Sequence, residues 1–196
     1  MSVKIIGICG GSCSGKTTLL NLLKQKNLTS ITYLSFDEYF VGMTKLKNRK
    51  INDWENPDLY RYSDYEEDLS KLKAGITINV KCHSRESAEK GIKSIKIIPK
   101  GIVIIEGFLI AITTKARKQF DSLIFLDIPE QEMIKRRVAR IKTNQGWDSV
   151  EYIHNKLIPG FKKYVLPQKR YADLIMDGMS PTDTLMRDLI AFVDPI

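Results

Sequence analysis

Gly10-Gly11-Ser12-Cys13-Ser14-Gly15-Lys16-Thr17 decides the reading of this chain, because it fits the spacing G-x-x-x-x-G-K-[ST] in full. Its context fits too. Val3 to Cys9 is a short apolar run with β-branched residues and predicts a strand. Lys16 to Lys26 predicts a helix, with Leu19, Leu20, Leu22 and Leu23 on its buried side. Glycines let the backbone curl until successive N–H groups point inward at phosphate oxygens. The helix N-terminus adds about half a positive charge at the same place. On this reading Gly10, Gly11, Ser12, Cys13, Ser14, Gly15, Lys16, Thr17 and Thr18 hold a nucleotide's phosphates. Lys16 reaches the β- and γ-phosphates, and the Thr17 hydroxyl ligates magnesium.

Outward from that loop, the pattern alternates. Ile31 to Ser35, Ile102 to Ile105, Leu123 to Leu126 and Leu174 to Met176 predict strands, the second an uninterrupted apolar run as expected of a sheet covered on both faces. Ser63 and Glu66 have capping-box spacing and open a helix to about Ala74, with Gly75 as its stop. Pro129 starts a helix that reaches about Lys142, another begins near Asp148, and Ser180-Pro181 starts the terminal one. Ile76 to Val80 and Ile92 to Ile98 read as a small hairpin inserted at about 76–98. Strands alternating with helices imply an α/β fold with a mainly parallel sheet. With no repeat and no linker rich in Gly, Pro or Ser, residues 1–196 read as one domain carrying a lid at about 136–148.

The 196 residues carry a formal charge of +8. That suits a phosphorylated small molecule, nucleic acid or acidic lipid equally, and a run such as Lys45 to Lys50 also reads as plain solvated surface. No run is long and apolar enough to span a bilayer, so no membrane association is expected. The three cysteines, Cys9, Cys13 and Cys82, form no Cys-x-x-Cys pair, and with no secretory leader they place the chain in a reducing cytoplasm. Cys13, inside the phosphate loop, reads as a small residue that fits there; the alternative is a reactive thiol activated by the helix terminus. GTP-binding switches carry Asp-x-x-Gly and Asn-Lys-x-Asp, and neither occurs. Transporter-type ATPases carry Ser-Gly-Gly, which is also absent.

Small-molecule kinases remain, and these need a base, a second acid for magnesium and a basic lid. Ser35-Phe36-Asp37-Glu38 follows the second strand, which places a carboxylate at the ligand-binding edge of the sheet, where Asp37 serves as base or as a helix cap. Glu106 ends the apolar strand beside the loop and suits magnesium. In Lys135 to Lys142, Arg136 and Arg140 share a helical face with Arg137 beside them. No aromatic residues interleave with these arginines, so nucleic acid is not the expected partner.

Together these pieces resemble the uridine kinase family, within the wider group of uridine, nicotinamide riboside and phosphoribulose kinases. The likeness runs from about Lys4 to the end. It rests on the phosphate loop, Ser35-Phe36-Asp37, Asn56-Pro57-Asp58, His83-Ser84-Arg85, Ile105-Glu106-Gly107, Arg136-Arg137-Val138 with Arg140, and Leu166-Pro167 with Lys169, Tyr171-Ala172-Asp173. The resemblance implies a three-layer α/β/α fold of the P-loop NTPase type. It implies Asp37 as the general base on a ribose 5′-hydroxyl, Glu106 near magnesium, and Glu55 on the ribose hydroxyls. It also implies His83 on the pyrimidine, and Arg137 and Arg140 in the lid. Several positions depart from the family pattern: Ile78-Asn79 for Tyr-Asp, Gln145 and Trp147 for lid arginines, Asn155 for a substrate-contacting Gln, and Glu55 for Asp. The expected reaction is phosphorylation of uridine or cytidine by Mg·ATP. Alternatives are nicotinamide riboside or another ribosyl metabolite as acceptor, and a non-catalytic nucleotide-binding regulator. ATP or GTP as donor and self-association into a homo-oligomer stay open.

Overall fold

The apolar runs become strands of one parallel sheet, because their side chains are needed on both of its faces. The computed structural model describes residues 3–26, 28–42, 53–143 and 149–193, without the side chain of Arg85. Its strands are β1 (Lys4–Gly10), β2 (Ile31–Ser35), β3 (Ile78–Lys81), β4 (Ser94–Ile97), β5 (Ile102–Glu106), β6 (Ser122–Asp127) and β7 (Leu174–Asp177). Five of them form a sheet in the order β2-β5-β1-β6-β7. Every pairing in it is parallel.

Alternation along β1 divides the core. Ile6 and Ile8 face Leu19, Leu20 and Leu23 of the helix Lys16–Gln25, and Leu185 and Leu189 of the terminal helix Thr182–Val193. Ile5 and Cys9 face the other way, toward Phe36, Tyr65, Leu69 and Phe161. Each fully buried Leu or Ile contributes about 1.5–3 kcal/mol. Two such layers on one sheet give the three-layer α/β/α architecture expected.

β3 and β4 pair antiparallel in a separate two-stranded sheet. Their connection is not a bare turn but holds the short helix Arg85–Glu89, capped by the Ser84 side chain. The Thr32 hydroxyl, donating to the Ile98 carbonyl at 2.8 Å, ties this unit to the edge of the main sheet.

Some boundaries depart from expectation. The helix Tyr62–Lys73 has Arg61 as its N-cap, so Ser63 lies inside it and the capping box does not form. Glu66 is instead engaged by the Thr113 hydroxyl at 2.6 Å and by Lys115 at 3.4 Å. Pro129 is the cap rather than the first residue of the helix Glu130–Lys142. The terminal helix starts at Thr182, a residue beyond Pro181. The next helical stretch covers 150–171, and its expected start at Asp148 lies outside the described residues, as do Lys45 to Lys50. Within it, Ile153–Leu157 and Phe161–Val165 are π-helical turns. Pro159 sits between them and lacks the N–H that an α-ladder would need there.

Candidate active site

The phosphate loop forms as its glycines require. Gly15 caps the helix Lys16–Gln25 with φ of +103°, a left-handed conformation that costs a residue with a Cβ but not glycine. Cys13 also takes positive φ, at 59°. The Ser14 N–H closes the loop on the Gly11 carbonyl at 3.3 Å. Lys16 is 8% exposed, and its ammonium is held by the carbonyls of Gly10 at 2.9 Å and Gly11 at 2.8 Å, with Ser14 Oγ at 3.4 Å. These three acceptors match the three N–H groups of the ammonium, which fixes the buried charge at the loop, and a bound phosphate would take over from one of them.

Strand register assembles the acidic side. Ser35 of β2 and Ile8 of β1 both stand opposite Glu106 of β5. The Ser35 hydroxyl donates to Glu106 Oε1 at 2.8 Å, orienting a carboxylate that is 5% exposed. Beyond Ser35 the chain enters the 3₁₀ turn Phe36–Tyr39, whose cap is the Ser35 side chain. Asp37 is therefore not the helix cap, and it projects into the cleft beside Glu106. Asp37 is exposed to the cleft, but the walls around it strip hydration from its charged form. That loss, and next the negative charge of Glu106, push its pKa up to about 7 against the pull of Lys16. Cys9, buried behind the loop, is pushed up to about 12 mainly by desolvation and has no place in the chemistry.

The hydroxyl of Thr17 and the carboxylate of Glu106 line the same cleft. Two hard oxygen donors suit magnesium, which takes few protein ligands and completes its shell with phosphate oxygens and water. No cluster of three or more His, Cys, Asp or Glu able to hold a metal occurs among the described residues.

The cleft measures about 620 Å³, and Phe40, Trp54, Tyr60 and Phe108 are among its walls. Glu55 and His83 are there as well. Glu55 is 8% exposed, and its backbone N–H donates to Asp53 Oδ1 at 3.1 Å. The backbone N–H of Trp54 donates to the Tyr152 hydroxyl at 2.8 Å. Gly160 backs onto Glu55 so closely that a Cβ there would meet Glu55 Cβ at 2.4 Å. His83 is exposed, and its ring lies beside Gly42.

The lid arginines divide. Arg137 and Arg140, three residues apart, line the cleft, and Arg137 donates to Ser12 Oγ at 3.0 Å. Arg136 does not join Arg140 on that face. It pairs with Glu132 at 2.8 Å and donates to the Cys13 carbonyl at 3.3 Å, so it fastens the helix Glu130–Lys142 to the loop. Asn155 is exposed and is not brought to the cleft wall. Gln145 and Trp147, with the other residues from 144 to 148 expected to belong to a lid, lie outside the described residues.

Sequence reasoning missed Phe108, Tyr60, Phe40 and Trp54 as walls of the cleft. Scattered aromatics read as core until the backbone brings them together, so no local pattern distinguishes them.

The model of the phosphoribulokinase / uridine kinase family matches residues 5–185. A uridine kinase of Borrelia duttonii (strain Ly) is 31% identical over 97% of this chain and 94% of that protein. Among solved structures, a phosphoribulokinase from Rhodobacter spheroides superposes with a TM-score of 0.68 at 12% identity, covering 92% of this chain and 74% of that one. A possible uridine kinase from Bacillus stearothermophilus gives 0.66 at 20% identity, covering 90% of each. At such identities the structures speak for the fold alone.

Proposed function

The chain belongs to the phosphoribulokinase / uridine kinase family and is a phosphotransferase with an alcohol acceptor; on that premise we propose that it moves the γ-phosphoryl group of ATP onto the 5′-hydroxyl of a pyrimidine nucleoside. The observation that carries this reading is that Asp37, Glu106 and Lys16 line one cleft together with His83 and the aromatic rings of Phe40, Trp54, Tyr60 and Phe108.

Each residue has a task in that reaction. Backbone N–H groups of Gly10 to Thr18 and the ammonium of Lys16 bind the phosphates. Thr17 and Glu106 would hold magnesium, which supplies charge neutralisation on the phosphates when bound. Asp37 accepts the proton of the attacking hydroxyl, and a base with a raised pKa does this efficiently near neutral pH. Arg137 and Arg140 neutralise charge on the transferring group and help exclude water. Glu55 accepts hydrogen bonds from the ribose hydroxyls, and His83 meets the base.

A second reading changes only the acceptor. Carboxylates of Glu55 and Glu89 stand with Trp54 and Tyr60 in the cleft lining, a setting that also suits a cationic ring such as nicotinamide riboside. One experiment separates the two: ADP release from Mg·ATP with uridine, cytidine, nicotinamide riboside, adenosine, ribulose 5-phosphate or pantothenate. Release with uridine or cytidine supports the first reading, and release only with nicotinamide riboside supports the second. Asp37→Asn should keep ATP affinity and lower turnover by about 10²–10⁴-fold; near-normal turnover would remove Asp37 from the role of base.

A further inference from the structure

Beside Asp37 lies a second carboxylate that the reaction does not use. Glu38 is 8% exposed. Its Oε1 accepts from the Ser84 hydroxyl at 2.8 Å and the Ser87 hydroxyl at 2.7 Å, and its Oε2 accepts from the Ser84 N–H at 3.3 Å. The Ser84 hydroxyl in turn accepts from the Ser87 N–H at 3.0 Å, starting the helix Arg85–Glu89. A carboxylate only accepts, so all three donors have one orientation. Arg61 staples the same two segments through their backbones, donating to the Glu38 carbonyl at 2.9 Å and the Lys81 carbonyl at 2.7 Å.

We propose that Glu38 is a positioning residue that fixes the span between the base Asp37 and the base-recognition residue His83, and so sets which acceptor length fits the cleft. The contact geometry supports this more than a merely stabilising role. Glu38 follows Asp37 directly, and Ser84 follows His83 directly. One buried carboxylate therefore joins the two residues that would touch opposite ends of a nucleoside. Charge-assisted hydrogen bonds of this kind are shorter and stronger than neutral ones. The inference rests on the kinase reading for its effect on acceptors, but the latch itself does not.

Glu38→Gln keeps the shape. It retains an acceptor for the two hydroxyls and turns an amide NH₂ toward the Ser84 N–H, two donors face to face. Ser87→Ala removes one strut at a residue that does not line the cleft. In both variants hydrogen exchange at amides 84–91 should quicken while that of residues 10–20 stays unchanged. Nucleoside KM should rise about tenfold in Glu38→Gln and less in Ser87→Ala, with ATP KM and kcat nearly constant. Phosphorylation of free ribose, which has no base to span to, should not respond. Equal losses for ribose and nucleoside would make Glu38 a general stabiliser and overturn the proposal, as would unchanged exchange at 84–91. If no acceptor is phosphorylated at all, the kinase reading fails, and the exchange measurement still decides whether the latch exists.

Discussion

On the proposed function, the donor side of the cleft takes its groups from consecutive residues, Gly10 to Thr18, while the acceptor side takes Asp37, Glu55, His83 and Phe108 from four separate segments. The first is made largely of backbone, with N–H groups aimed by glycine conformations and a helix terminus. The second is made of side chains held by buried contacts such as Ser35 with Glu106 and Gly160 with Glu55. A backbone site is hard to retune by substitution and suits a phosphate that never changes. A side-chain site can be altered one residue at a time, so the acceptor is the property most open to variation.

That contrast predicts where damage should fall. Lys16→Met strikes the one donor-side group that is a side chain and a charge. Its turnover should drop by about 10³-fold or more, measured as single-turnover ADP release, with the acceptor's affinity unchanged. A loss confined to acceptor binding would break the division of labour.

The pH profile tests the boundary between the sides. Loss of hydration between the cleft walls and the charge of Glu106 raise the pKa of Asp37 to about 7, and a base works only when ionised. Activity should therefore be full above that pH and fall about tenfold per unit below it, read as kcat/KM for the acceptor. Positive charge beside Glu106 favours the ionised form, so the limb should move to lower pH as magnesium rises. A limb indifferent to magnesium would separate Asp37 from Glu106.

The smallest effect belongs to Gly160→Ala on the acceptor side. The added methyl would fall 2.4 Å from Glu55 Cβ, so one of the two segments must shift. Overpacking of this kind costs about 1–3 kcal/mol, visible in urea denaturation. KM for the acceptor should rise severalfold while ATP KM holds. Equal changes in both constants would show that the two sides are mechanically one.

The phosphate loop was legible because its chemistry is local: strand, glycines, Lys16 and helix follow one another in the chain. β2, β5 and β6 were legible for a similar reason, as short apolar runs bounded by turns. The capping box at Ser63 failed because Glu66 is close in sequence to Ser63 but closer in space to Thr113. The place of Arg136 was hidden for a related cause. Arg136 and Arg140 share a helical face, yet the nearby Glu132 and the Cys13 carbonyl draw Arg136 to the loop. The role of Glu38 was hidden as well, since its partners are Ser84 and Ser87.

By itself, the sequence determined the sheet-and-helix alternation, the phosphate loop and the chemistry that the loop permits, because all of these rest on neighbours in the chain. Tertiary structure alone decided that Glu106, Ser35 and Ile8 share one row, that Arg136 turns to the Cys13 carbonyl of the phosphate loop, and that Glu38 joins Asp37's turn to His83's. Those depend on strand register and on the direction in which a side chain leaves its backbone. Both are set by the packing of segments far apart in sequence.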